Sequence, residues 1–106
     1  MQVADSHVQA ALFTGAMIDH VAKTVHKDTE EVIEMNFYNV NDVTPGGDTI
    51  GTAKYNWTVP LLWSQIKTDA NFDARKKAVA DYNAANRWTK KGIALTASKW
   101  YCSNPS

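Results

Sequence analysis

The sequence predicts a mainly α-helical domain with a small β element: about four helices, a long loop and one C-terminal strand. Three observations support this fold class. Four segments combine an N-terminal capping residue with apolar residues at helical spacing. Residues 39–57 are rich in Asn, Asp and Gly, as turns are, and residues 93–98 show the alternation of a strand. At 106 residues, we expect a single domain over residues 1–106.

The first two helices are predicted in the N-terminal third of the chain. Ser6 and Gln9 fit a capping box, which starts helix 1 over about residues 7–24. Asp28 begins helix 2, whose acidic first turn suits the helix dipole, and this helix is expected to stop near residues 36–38. The apolar face of helix 1 consists of Val8, Ala11, Leu12, Ala16, Ile18, Val21, Ala22 and Val25.

The long loop covers residues 39–57. Its Asn, Asp and Pro residues and its three glycines predict turns. Within it, residues 49–55 are a candidate short edge strand. A loop of this length in a compact domain is usually functional or lies against another surface.

Two further helices are predicted after the loop. Thr58 caps helix 3, and Pro60 falls in its first turn, where a missing backbone N–H costs little. Asn71 caps helix 4, predicted over about residues 72–88, with Lys77 paired to Asp73 one turn before it. The predicted core residues of these helices are Leu61, Leu62, Trp63, Ile66, Phe72, Arg75, Ala78, Val79 and Tyr82.

The C-terminal strand is predicted after Gly92, which ends helix 4. A single strand needs a hydrogen-bonding neighbour. That neighbour is either the segment 49–55 or another protein, so the strand is one reason to expect protein partners.

Composition excludes several classes of protein. Eleven basic and eleven acidic residues cancel, which argues against a general nucleic-acid or anionic-membrane binder. The single Cys102 excludes an internal disulfide. No apolar run approaches the roughly 20 residues of a transmembrane helix. The N-terminus resembles neither a signal peptide nor a transit segment, so we expect an intracellular location, in the cytoplasm or an organelle such as the mitochondrion.

The residue types that carry chemistry do not form a recognisable site. The three histidines lack metal-ligand spacing, and the Gly-rich segment 46–54 has Thr52 where a phosphate-binding loop requires lysine. Cys102 has no base beside it, and no two carboxylates are paired for acid–base work. We therefore expect no catalytic residue, no metal, no cofactor and no small-molecule substrate. The histidines are His7, His20 and His26.

A basic run passes through helix 4 and continues beyond it. Tyr82 and Trp88 are interleaved with the cations, which leaves three interpretations open: a solvated helix face, a docking patch for an acidic partner, or a nucleic-acid contact. The basic residues are Lys76, Lys77, Arg87, Lys90 and Lys91.

From about Val8 to Trp100, the order and spacing of several motifs resemble one piece of the large molybdenum subunit of xanthine dehydrogenases and aldehyde oxidases. No single motif is diagnostic. The motifs are Gln9-Ala10, Asp19-His20-Val21-Ala22, Glu30-Glu31-Val32, Asn36-Phe37-Tyr38, Asp42-Val43-Thr44-Pro45, Thr58-x-Pro60-x-x-Trp63, Phe72-x-Ala74-Arg75-Lys76, Val79-x-x-Tyr82-Asn83-x-x-Asn86-x-Trp88-x-Lys90-Lys91-Gly92-Ile93 and Lys99-Trp100.

The resemblance implies a helical part of the molybdopterin-binding region without its chemistry. Enzymes of this family hydroxylate purines or aldehydes at a molybdenum–pterin centre. Their Gly-rich cofactor segment corresponds here to residues 3–7, which contain neither Gly nor Arg, and the general-base glutamate falls outside the chain. The chain also has Ile33 and Lys91 where the family has arginine, and Ala97 where it has proline. The resemblance thus implies scaffold helices that neither bind a pterin nor catalyse hydroxylation alone.

These observations lead to one main hypothesis and two alternatives. The main hypothesis is a non-catalytic accessory subunit of a larger protein assembly, derived from a molybdenum-hydroxylase fragment. The first alternative is a split piece of a hydroxylase that needs partner chains for cofactor and catalysis, and the second is a small free-standing binding module. The candidate interface residues are Trp57, Trp88, Trp100 and Tyr101.

Overall fold

A computed structural model of the chain describes residues 6–52 and 56–97, without the side chains of residues 6 and 7. The described residues contain four helices: α1 (Ser6–Thr24), α2 (Thr29–Met35), α3 (Val59–Asp69) and α4 (Phe72–Ala85). They fall into two compact units. The first holds residues 6–36 and 95–97, and the second holds the described residues between 37 and 94.

The first unit is built from α1 and α2, which pack against each other around the buried residues Ala22 and Val32. His26 joins the two helices in the left-handed conformation, with φ 55°. Its N–H donates to the Lys23 carbonyl over 3.4 Å, and the Lys27 N–H donates to the Ala22 carbonyl over 2.9 Å. These two bonds form a Schellman motif, which satisfies carbonyls that the end of α1 would otherwise leave free.

The second unit is built around α3 and α4, with Ile50, Trp63 and Phe72 as its buried apolar residues. Pro60 lies in the first turn of α3, as predicted, and Asn71 precedes α4 in the left-handed conformation. The predicted core is larger than the observed one. Three of the apolar residues predicted to be buried on α3 are exposed: Leu61, Leu62 and Ile66.

The loop before α3 makes a turn that brings residues 41 and 50 together. Ile50 donates its N–H to the Asp42 carbonyl and accepts from the Asn41 N–H, both over 2.9 Å. One isolated bridge links Val43 and Thr49. The candidate edge strand over 49–55 is therefore limited to one bridge in its described part, since residues 53–55 lie outside the described ranges.

The β part of the predicted fold class is wrong, because the described residues contain no strand. Residues 91–97 have no regular secondary structure, and residue 98 onwards lies outside the described range. α4 also ends at Ala85 rather than Trp88, since Asn86 is extended with φ −119° and ψ 112°. The Asn83 side chain binds both the N–H and the carbonyl of Lys91. Side-chain hydrogen bonds thus hold the chain just before the segment that was predicted to form a strand.

Candidate interaction surfaces

Several exposed apolar side chains of the first unit lie on α1. Phe13 is 70% exposed and Met17 is 67% exposed, and the exposed Val21 follows four residues later. Residues four apart lie on one side of a helix, so Phe13, Met17 and Val21 form a continuous strip, here called the α1 stripe. Ala22, through which α1 packs in the first unit, is buried.

A wide hollow of about 660 Å³ lies in the first unit beside α1. Its lining includes Ala11, Gly15 and Ile18 of α1 together with Thr29 and Ile33. The Thr29 hydroxyl already donates to the Asp19 carboxylate over 2.9 Å. A Cβ added at Gly15 would meet nothing within 4 Å, so space remains open beside the helix at this position.

The four predicted interface aromatics have different environments. Trp57 is half-buried, and its ring meets Tyr38 edge to face with centroids 6.1 Å apart. Trp88 is 86% exposed, and the Arg87 guanidinium lies over its ring, 4.7 Å from the centroid. Trp100 and Tyr101 lie outside the described residues. Trp57 and Trp88 thus differ in accessibility, and the interface role of all four stays a prediction.

A second hollow, of about 420 Å³, lies in the second unit between α4 and residues 91–93 and is here called the basic hollow. Arg75 and Lys91 contribute its charged groups, and Val79 and Ile93 contribute apolar surface. The Lys91 ammonium stands over the Tyr82 ring, 4.0 Å from the centroid, in cation–π geometry.

Asn83 holds one side of the basic hollow in place. Its Nδ2 donates to the Lys91 carbonyl over 2.9 Å, and its Oδ1 accepts from the Lys91 N–H over 2.8 Å. Lys90 in turn donates from Nζ to the Asn83 carbonyl. This role of Asn83 was not predicted from the sequence, where the residue was only one position of a family motif. Its hydrogen-bonding partner is the backbone eight residues later, which no local pattern indicates.

The ion pairs on the helices are exposed and local. Lys77 binds Asp81 over 2.8 Å rather than the predicted Asp73. Lys23 binds Asp19 over 2.6 Å. This hydrogen bond, and to a smaller extent the one from Thr29, lowers the pKa of the Asp19 carboxyl. Both pairs join residues four apart on one helix, where exposed pairs contribute little to stability.

Within the described ranges, no three or more His, Cys, Asp or Glu residues come together in a group that could hold a metal ion. His20 and His26 are both exposed, and the Gly-rich segment 46–52 forms turns. Cys102 and His7 have no described side chains. Across the described residues, no helix is long and apolar enough to cross a membrane.

Comparison with known proteins identifies relatives over residues that make up 87% of the chain. The chain is 38% identical to nicotinate hydroxylase hnxS of Emericella nidulans, over 92 residues. It is 35% identical to xanthine dehydrogenase of Oryza sativa subsp. japonica and to aldehyde oxidase 1 of Cavia porcellus, again over 92 residues each. Over most of its length, the chain is homologous to xanthine dehydrogenases and aldehyde oxidases.

The predicted resemblance to this family is therefore confirmed, whereas the assignment of the chain to the molybdopterin-binding region stays a prediction. The xanthine dehydrogenase-like chain spans only 6–7% of the length of these relatives. No family model and no solved structure matches it. Two of the motifs that carried the resemblance have clear positions in the structure: Thr58–Trp63 begins α3, and Lys90-Lys91-Gly92 contributes to the basic hollow and its support.

Proposed function

We propose that this chain is a non-catalytic accessory element of a xanthine dehydrogenase- or aldehyde oxidase-like protein assembly. In this proposal its helices correspond to scaffold helices beside the molybdopterin-binding region of the relatives. The helices would bury their exposed apolar side chains against other protein surface. The element would position neighbouring parts of the assembly and leave hydroxylation to residues elsewhere.

The observation that carries this proposal is the α1 stripe. Phe13 and Met17 are each at least two-thirds exposed on a helix whose neighbour α2 leaves them uncovered. Burying one large apolar side chain contributes about 1.5–3 kcal/mol. Contiguous exposed apolar residues mark protein interaction sites, whereas single scattered ones are ordinary. The stripe fits a surface that another protein covers.

A structural role also agrees with the hydrogen bonds that polar side chains make within the described residues. Asp19 connects Lys23 and Thr29, and Asn83 holds Lys91. These polar groups fix the local fold. A catalytic carboxylate or base would instead need a perturbed pKa in a pocket where a substrate fits.

The second candidate function is a working part of a molybdenum hydroxylase whose other chains supply the cofactor and the catalytic glutamate. The homology favours it, because the relatives include a nicotinate hydroxylase and a xanthine dehydrogenase. Both candidates require protein neighbours, and they differ in whether molybdenum accompanies the chain.

The deciding experiment is gentle purification of the chain from its native source. Particle mass, partner identity and molybdenum content are read on the same chromatographic peak. A large, molybdenum-free complex of constant stoichiometry is the result expected for the accessory element. A peak with molybdenum and hydroxylase activity would support the second candidate. A lone chain of 11.8 kDa would contradict both and leave a free-standing binding module.

A further inference from the structure

We propose that the basic hollow binds a carboxylate side chain of an acidic polypeptide segment, with Arg75 and Lys91 as the anion-binding groups. This inference rests on residues of α4 and the segment after it, and not on the α1 stripe. It is therefore independent of whether the accessory function proposed above is correct.

Two segments of the second unit line the basic hollow. Arg75, Ala78 and Val79 line one side of the hollow, at the three- and four-residue spacing of a single face of α4. Lys91, Gly92 and Ile93 line the other side. A carboxylate that enters between the two sides meets a guanidinium and an ammonium. Guanidinium binds carboxylates through two parallel hydrogen bonds, which fixes their orientation.

Lys91 is held in place before a ligand arrives. Asn83 fixes both backbone polar groups of Lys91, and the Tyr82 ring supports its ammonium at 4.0 Å. Binding then costs less conformational entropy than it would for a free lysine side chain. No carboxylate pairs with Arg75 or Lys91 within the part of the chain that the structure describes.

The segment that forms the basic hollow carries an excess of positive charge. Residues 72–93 carry six basic side chains and two acidic ones. One of the two acids, Asp81, is already paired with Lys77. The surface therefore complements a negatively charged partner, and complementary charge increases association rates and selects partners.

The aromatic and apolar side chains of this region favour an acidic polypeptide over a nucleic acid. Proteins bind single-stranded nucleic acid by stacking bases on open aromatic faces along a basic groove. Here the Lys91 ammonium covers one face of the Tyr82 ring, and the Arg87 guanidinium covers one face of the Trp88 ring. Bases could not stack on these two covered faces. Val79 and Ile93 beside the two cations instead suit the aliphatic stem of a glutamate or an apolar residue next to it.

The test uses the full chain and a fluorescein-labelled dodecapeptide of glutamate with leucine at every third position. Fluorescence anisotropy is expected to give a Kd in the micromolar range that rises several-fold between about 20 and 200 mM salt. The same peptide with glutamine in place of glutamate should bind at least tenfold more weakly. Arg75→Gln and Lys91→Gln should each raise Kd by roughly three- to tenfold, since each removes a charge-assisted contact.

Lys77→Gln is the matched control, because it removes the same charge from the same helix but from a lysine paired with Asp81. It should change Kd by less than about twofold if the site is local. Equal effects of Lys77→Gln and Lys91→Gln would overturn the proposed site. So would equal binding of the glutamine peptide, or tighter binding of an oligothymidylate of similar length.

A charge exchange provides an independent check on folding. Arg75→Glu combined with Lys91→Glu should reject the glutamate peptide and bind a lysine peptide of the same design more tightly than the parent chain does, a gain that misfolding does not produce. Failure to gain the lysine peptide, with the circular dichroism spectrum unchanged, would contradict the role of Arg75 and Lys91. None of these outcomes depends on molybdenum or on a native complex, so they leave the proposed accessory function untested.

Discussion

The Phe37 ring meets the Trp63 indole edge to face, with ring centroids 5.4 Å apart and ring planes at 89°. Trp63 is 5% exposed and is one of the few buried apolar residues of the second unit. Edge-to-face pairs add stabilisation beyond the area that they bury. In a unit with so small a core, this pair connects the segment just before the loop with the middle of α3.

Trp63→Ala should lower the free energy of unfolding by about 3–5 kcal/mol, because it removes the largest side chain of this core and leaves a cavity. Trp63→Phe should cost less. Phenylalanine fills part of the space and removes an indole N–H that has no acceptor among the described residues. Urea denaturation followed by far-ultraviolet circular dichroism measures both changes. Equal losses for the two variants would contradict this account of the core.

His26→Gly should stabilise the chain by roughly 0.5–1 kcal/mol. His26 follows the end of α1 with φ 55°, a conformation that glycine adopts without the steric cost that a Cβ adds. His20→Gly is the matched control: it makes the same substitution inside α1 and should destabilise by about 1 kcal/mol. The urea midpoints of the two variants should therefore move in opposite directions. A lower midpoint for His26→Gly would show that its imidazole has a role that the backbone does not explain.

The local patterns of the sequence predicted where helices begin, and that part of the fold is confirmed. α2 begins after Asp28, α3 after Thr58 and α4 after Asn71. Signals for helix starts lie within one turn, so a short stretch of sequence is sufficient to identify them. The predicted side-chain capping bonds are not formed at these three residues.

Features that depend on distant neighbours were not predictable in the same way. Helical periodicity shows that Leu61 and Leu62 share an apolar helix, but it does not show whether anything covers them, and both are exposed. Alternation at residues 93–97 resembles a strand, but these residues have no regular secondary structure, because alternation does not show whether a neighbouring strand is present. The basic run was evident in the sequence. The position of Lys91 across the hollow from Arg75 was not, because it involves the two hydrogen bonds between Asn83 and the Lys91 backbone.

Asp19→Asn should destabilise the chain at neutral pH and have no effect in strong acid. Lys23 and Thr29 donate hydrogen bonds to this carboxylate and lower its pKa in the folded state below the ordinary 3.8. A carboxyl group whose pKa is lower in the folded state than in the unfolded state stabilises the fold when the pH is above its unfolded-state pKa. This stabilisation is lost as the pH falls through the folded-state pKa. Urea midpoints between about pH 2 and 7 measure the effect.

Thr29→Val is the companion variant for this pH dependence. It removes one of the two hydrogen bonds and keeps the carboxylate, so its pH-dependent loss should be smaller than that of Asp19→Asn. A constant difference between parent and Asp19→Asn at every pH would contradict the electrostatic origin of the effect.

The double substitution Phe13→Ser with Met17→Ser tests the α1 stripe as a docking surface. Because each side chain contributes about 1.5–3 kcal/mol when it is buried in an interface, affinity for the native partner should fall at least about a hundredfold. The stability of the isolated chain should change little, since both side chains are exposed in it. Size-exclusion chromatography of the tagged chain, reconstituted with the purified native partner, measures the loss.

Lys23→Ser is the control for this double variant, since residue 23 lies about 120° around α1 from Met17. It changes an exposed side chain of the same helix outside the stripe and should leave the complex intact. A complex that survives loss of both Phe13 and Met17 would assign docking to another surface. Loss of the complex with Lys23→Ser as well would indicate that α1 as a whole, rather than its apolar strip, is required.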